Sequence, residues 1–265
     1  MTDARDLTPA AGAAPALVLL EVSDAVATIT LDSPTNRNAL SAAVREQLIG
    51  ALDVAASDPA ARVVLLTHRG PVFCAGMDLK EEARAVPGRQ GVRELPAILQ
   101  RIARCPKPVV ARLAGPARAG GIGIMAAADI VVAAPSVTFA FSEVRIGLIP
   151  AVITVPVLHR VGPTAARELL LTGEVFDAER AREIGLVNAV SEDLDDAVSA
   201  YLSALLAGGP TALAGTKALL GAELDDSDAR YARLLEISAA QFITEEAREG
   251  ALSFVEKRAP GWVSD

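Results

Sequence analysis

Apolar residues recur along this chain with two different spacings, and the balance between them shifts near position 153. Residues 16–22 and 26–31 are apolar-rich runs of strand length on either side of a short Ser23-Asp24 break, which predicts a β-hairpin. Val44, Leu48 and Leu52 fall four apart, predicting a helix over 41–56 with Ser41 as its N-terminal cap. Residues 62–67 and 109–113 are β-branched apolar runs of buried-strand length, with a short helix expected over 78–85 and helical spacing at 95–103 and 120–128. Residues 129–133 and 138–141 return to strand. This order predicts an α/β fold with crossover connections. Beyond Ile153 the pattern is helical: 165–171, 177–184 (Asp177 capping, Gly185 stopping), 194–206, 210–224 and 228–255. The expected organisation is a flexible tail over 1–15, a core over 16–200 and a helical oligomerisation region over 201–265.

At 265 residues the chain is long enough to bury a large core. It is 51% apolar but only 3% aromatic, a balance that suits α/β or helical packing better than an aromatic-rich β-sandwich. The net charge of −8 offers no general electrostatic footprint for nucleic acid or an anionic membrane. A polyanionic ligand would need cations placed locally. Cys74 and Cys105 lack metal-ligand spacing and read as reduced thiols of a cytoplasmic protein, with no metal expected. The first fifteen residues lack a basic n-region, and the apolar run 16–20 is too short for a signal peptide or a membrane span.

The chemistry concentrates in two stretches, FCAGMDLK at 73–80 and AGPARAGGIG at 114–123, each following an apolar run. A strand that runs into a glycine-lined turn leaves backbone N–H groups unshielded by side chains. Two such donors converging on one point would stabilise a developing oxyanion, which points to acyl-thioester chemistry. Either turn alone reads more simply as a tight strand ending. Cys74 sits in the first turn, but a small buried residue explains it better than a nucleophile served by His68 or His159. Residues 87–91 are expected to form a flexible segment beside the site.

The chain resembles the crotonase, or enoyl-CoA hydratase/isomerase, superfamily from about 17 to 262. The resemblance is carried by SPTNRNALS at 33–41, FCAGMDLK, the second glycine turn, FSEVRIGLIPAV at 141–152, the segment 161–190 and FVEKRAPGW at 254–262. It implies a spiral of repeated β-β-α units followed by helices, assembly as a trimer or a dimer of trimers, and an acyl-CoA thioester as substrate, with no separate cofactor. It also implies that the Met77 and Gly120 N–H groups form the oxyanion hole, with Ala75, Gly76, Asp78, Leu79 and Gly121 around the bound thioester. Asp78 reads more simply as the cap of its own helix. Lys80 matches the family position near the CoA phosphates, and Arg37 is a candidate for the adenosine end. Phe254 and Lys257, three apart, would share one face of the last helix, which in family members often completes the CoA site of an adjacent subunit.

Carboxylates decide the reaction. Hydratases of this family typically use two glutamates. By that resemblance the first position falls on Gly123, which carries no carboxylate, and the second on Glu143. A glutamate in the apolar setting VRIGLIP should have a raised pKa and could shuttle a proton near neutrality, unless it pairs with Arg145 or a nearby cation. The resemblance favours an enoyl-CoA hydratase with Glu143 as acid/base. The alternatives are a Δ3-Δ2-enoyl-CoA isomerase using Glu143 alone, and an inactive acyl-CoA-binding scaffold.

Overall fold

The computed structural model describes residues 5–6, 16–84, 86, 89–222 and 227–258. It begins with β1 (Arg5–Asp6), β2 (Val18–Ser23) and β3 (Val26–Leu31), paired antiparallel. The β2–β3 turn uses Asp24 and Ala25, both at positive φ (48° and 63°), one residue later than the sequence break suggests. A two-residue hairpin loop needs that left-handed pair to match the strand twist. Along β3, Ala27, Ile29 and Leu31 are fully buried while their neighbours are not, the period of two expected of a strand.

From there strands and helices alternate. α1 (Ala42–Ser57) starts where the Ser41 hydroxyl accepts the Val44 N–H at 3.4 Å. β4 (Val63–His68) lies parallel to β3, followed by α2 (Leu79–Glu82) and α3 (Leu95–Ala103). β5 (Val109–Leu113) joins β4, β6 (Ala117–Arg118) leads into α4 (Gly120–Ala126), and β7 (Ile130–Ala133) joins β5. β8 (Thr138–Ala140) pairs with β6. α5 (Thr154–Leu158), α6 (Pro163–Thr172), β9 (Phe176–Asp177), α7 (Ala178–Glu183) and β10 (Ala189–Val190) complete the strand-bearing part. The result is a seven-stranded sheet, β1-β2-β3-β4-β5-β7-β10, beside a three-stranded one, β6-β8-β9. This is the α/β architecture the pattern predicted. β4, β5 and β7 read as continuous apolar runs because helices cover both their faces. On one face Val63, Val110 and Val132 pack against Leu194 and Val198 of α8 (Leu194–Ala207).

The C-terminal half departs from the sequence reading in three places. β9 and β10 lie between helices in a stretch read as almost wholly helical, and two residues each are too few to register a period of two. Position 200, the expected end of the core, falls inside α8. After α9 (Pro210–Ala222), the single helix expected over 228–255 divides into α10 (Ser227–Phe242) and α11 (Glu245–Glu256), because the Thr244 hydroxyl caps a new helix by accepting the Ala247 N–H.

Those last helices fold back onto their own chain. Leu234, Leu235 and Phe242 of α10 pack against the core, while Ile237 remains 39% exposed. α11 sits against the 3-10 helix Ser142–Ile146 at Gly250, where an added Cβ would collide with the Ile146 carbonyl oxygen. Gly250→Ala should therefore push α11 off that segment and destabilise the fold by about 1–3 kcal/mol, the usual cost of overpacking. Thermal unfolding checks this; an unchanged Tm would mean that α11 does not seat there.

Candidate active site

The two glycine turns meet. A Cβ built on Gly76 would lie 3.0 Å from the Ala119 Cβ and 3.5 Å from the Gly120 nitrogen. Gly76 adopts φ +91°, a conformation an L side chain rarely tolerates, so both its backbone and its surroundings call for glycine. Gly121 is required for a different reason: a side chain there would strike the Cys74 carbonyl oxygen at 2.6 Å. Its role is to seat α4 against the first turn rather than to touch a ligand.

Two peptide planes are then fixed from behind. The Leu40 N–H donates to the Gly76 carbonyl at 2.8 Å. In a trans peptide the C=O and the following N–H point in opposite directions, so this bond turns the Met77 N–H away from Leu40. The Ala119 carbonyl accepts the Ile122 and Gly123 N–H groups at 2.9 and 3.2 Å, which turns the Gly120 N–H away from the helix it starts. Neither the Met77 nor the Gly120 N–H has an acceptor among the described residues, and both residues line one cavity of about 380 Å³. The Gly120 donor also sits at the positive end of α4. Ala119 holds φ 48° and ψ −119°, a region natural to glycine, so strain is stored at the turn itself.

Glu143 lines the same cavity from the start of the Ser142–Ile146 segment. It is only 9% exposed, and its Oε2 has no hydrogen-bond partner among the described residues. The expected alternative, a pair with Arg145, does not form: Arg145 borders the cavity but is exposed and makes no ion pair with Glu143 among the described residues. Burial pushes the Glu143 carboxyl up to about 7, opposed only by its own backbone N–H. Both protonation states are thus available near neutrality. Gly123 is walled off from the cavity, since a Cβ there would lie 2.6 Å from Ile153 Cγ2.

The remaining candidates divide. Ala75, Leu79, Arg37 and Phe254 line the cavity. Asp78 caps α2 by accepting the Lys80 and Glu81 N–H groups at 3.1 and 3.3 Å. Lys80 lies outside the Glu143 cavity, in an adjoining groove of about 680 Å³ that Arg84 and Arg248 also border. Lys257 is not on a helical face with Phe254; it leaves α11 as a left-handed C-cap at φ 56° and lines neither space. Phe254 reaches the cavity of its own chain. Burial pushes the Cys74 thiol up to about 12, which removes it as a nucleophile, and His68 spends Nε2 accepting the Ala114 N–H. Within the 87–91 segment, Pro87 and Gly88 lie outside the described residues, as do Trp262 and most of the 1–15 tail. Among the described residues no group of three or more His, Cys, Asp or Glu is placed to hold a metal.

Sequence reasoning missed Arg45, Ser238, Phe242 and Ile153. Arg45 is 4% exposed and donates to the Leu40 carbonyl at 2.6 Å and to Glu94 at 2.8 Å, bracing the residue that orients the first turn. A cation beside Val44 and three before Leu48, on the edge of an apolar arc, was the available signal. Ser238 and Phe242, four apart on α10, both line the cavity; that spacing was visible, but its destination was not.

The buried carboxyl has a measurable consequence. Its ordinary pKa of 4.5 rises to about 7 in the fold, so between those values the folded chain holds a proton that the unfolded chain has released. Wild-type stability from this group is therefore present at low pH and lost as pH rises through that window. Glu143→Gln should match wild type in Tm near pH 4.5 and exceed it increasingly up to pH 8. Thermal unfolding across that range checks it; a pH-independent difference would place the carboxylate in a solvated or paired setting.

The sequence profile of the enoyl-CoA hydratase/isomerase family matches residues 21–265. A crystal structure of an enoyl-CoA hydratase from Mycobacterium avium superposes with a TM-score of 0.84 at 43% identity, covering 94% of this chain and 100% of that one. The enoyl-CoA hydratase EchA19 of Mycobacterium tuberculosis is 34% identical over 88% of this chain and 91% of its own. The trans-2-decenoyl-[acyl-carrier-protein] isomerase of Streptococcus mutans is 30% identical over 92% and 96%. With this match over nearly the whole chain, and with two glycine turns whose unpaired N–H groups border one cavity, the protein belongs to the enoyl-CoA hydratase/isomerase family, the crotonase superfamily.

Proposed function

We propose that this protein hydrates a 2-enoyl-CoA thioester, with Glu143 as its acid/base. The observation that carries the reading is a single buried, unpartnered carboxyl in the cavity that also receives two free backbone N–H groups. The thioester oxygen would accept hydrogen bonds from Met77 and Gly120, which strengthen as charge moves onto it. Glu143, as carboxylate, takes a proton from water as the oxygen bonds to C3. It then returns that proton to C2, so one water is added and the carboxylate is regenerated. A pKa near ambient pH suits a group that must accept and give within one turnover. CoA phosphates would lie toward the groove bordered by Lys80, Arg84 and Arg248, the local cations that an acidic chain needs for a polyanionic ligand.

A second reading is the shift of a 3,4 double bond to 2,3, with Glu143 removing a proton at C2 and returning it at C4. The exclusion of Gly123 from the cavity favours it, because that leaves Glu143 as the one carboxylate lining the space among the described residues. Relatives named as hydratases favour the first. Assembly as trimers or dimers of trimers is part of the proposal.

Glu143→Gln should lower kcat by roughly 10²–10⁴ on 2-enoyl-CoA, the usual worth of a positioned acid/base, with acyl-CoA affinity retained. Wild-type activity in that variant would end the assignment, and turnover confined to 3-enoyl-CoA would select the isomerase. Binding of acyl-CoA with no turnover on either would make the chain a scaffold. Lys80→Ala should raise KM several-fold with kcat nearly constant, since the phosphates lie far from the reacting carbons. An unchanged KM would return Lys80 to the solvated surface.

A further inference from the structure

Ile153 lines the cavity, is 2% exposed, and stands directly over Gly123, with Cγ2 at 2.6 Å and Cβ at 3.2 Å from where a side chain on that helix would begin. Its backbone is held in place: the Ile153 carbonyl accepts the Val157 N–H at 3.2 Å, and the Thr154 hydroxyl ties to the Ala151 carbonyl at 2.6 Å. A β-branched side chain on a fixed backbone has few rotamers into which it can retreat. The wall it belongs to, with Leu148, Ile149 and Val152, is hydrocarbon, while Glu143 lines the same space.

We propose that Ile153 is the specificity-determining residue of this site. It fills the volume above α4, leaving no room for a polar side chain at 123, and it offers the acyl group beyond C2 an apolar contact that limits branching at C3. The proposal rests on the reading that an acyl-CoA occupies this cavity. An acyl carbonyl held at Met77 and Gly120 directs the next carbons into the space that Glu143 and Ile153 both line. A branch at C3 would then compete with the Ile153 side chain for the same volume. Substrates with an unbranched C3 are favoured, and Ile153→Ala should relax that preference.

Two measurements test this. The first is thermal unfolding of Gly123→Ala in two backgrounds. Alanine in place of glycine inside a helix ordinarily stabilises. Here it should lower Tm strongly in wild type, where its Cβ meets Ile153 Cγ2 at 2.6 Å, and much less in Ile153→Ala, where only the 3.2 Å contact with the Cβ remains. The second is the ratio of kcat/KM for 3-methylcrotonyl-CoA to that for crotonyl-CoA, which should rise at least tenfold in Ile153→Ala, the scale of one methyl group's discrimination in an apolar pocket. If neither thioester turns over, the hydration reading fails, and the same ratio is read from binding affinities by calorimetry. A shifted affinity ratio then upholds the role of Ile153. Normal turnover with an unshifted ratio, or an equal Tm change from Gly123→Ala in both backgrounds, overturns the proposal and leaves the hydration reading standing.

Discussion

The site depends on two carbonyl groups facing away from it. Gly76 C=O is held by Leu40 N–H, and Ala119 C=O by the first turn of α4. Because a peptide unit is planar and trans, tying down each carbonyl also aims the next N–H, at Met77 and at Gly120. The donors are thus set without a ligand, as the proposed oxyanion role would require. Arg45 extends the brace outward: itself buried, it grips the Leu40 carbonyl and pairs with buried Glu82 on one side and exposed Glu94 on the other. Burial raises Glu82 to about 7 as well, with Arg45 and the Gly91 N–H opposing the rise.

Glu143 illustrates the opposite arrangement. No hydrogen bond braces its Oε2 among the described residues, and burial leaves a carboxyl that holds its proton up to about pH 7. In the proposed hydration that group would change protonation state in each cycle. Its segment is only a short 3-10 helix, so its position is set by what packs around it. α11 presses on it through Gly250, and Gly173, in a left-handed turn after α6, lies against Arg145 and Val144. The C-terminal helices therefore close the site of their own chain.

Cations border both of two adjacent spaces. Arg37, Arg118 and Arg145 line the cavity holding Glu143, whose remaining wall is mainly aliphatic, and Lys80, Arg84 and Arg248 border the neighbouring groove. An apolar acyl end and a polyanionic carrier would find both kinds of lining there, although the chain as a whole carries a net charge of −8. Local placement of cations outweighs net charge at Debye-length range.

Sequence alone determined what is written in neighbouring residues. The N-caps Ser41, Asp78 and Asp177, the buried strands and the helix 95–103 follow from local hydrogen bonding and periodicity, and they match the structure closely. The two glycine turns were legible as a pair of donors, and Glu143 as a carboxyl in apolar company. Tertiary structure decided whatever depended on contacts between distant segments. The two-residue strands β9 and β10 exist only because a partner strand is already there. Lys257 lost its shared face because the helix ended one residue earlier, and the close approach of α11 to the Ile146 carbonyl is possible because position 250 is glycine. That Gly123 is sealed by Ile153, thirty residues away, could not be read from either position, because close packing is a property of the volume two segments share.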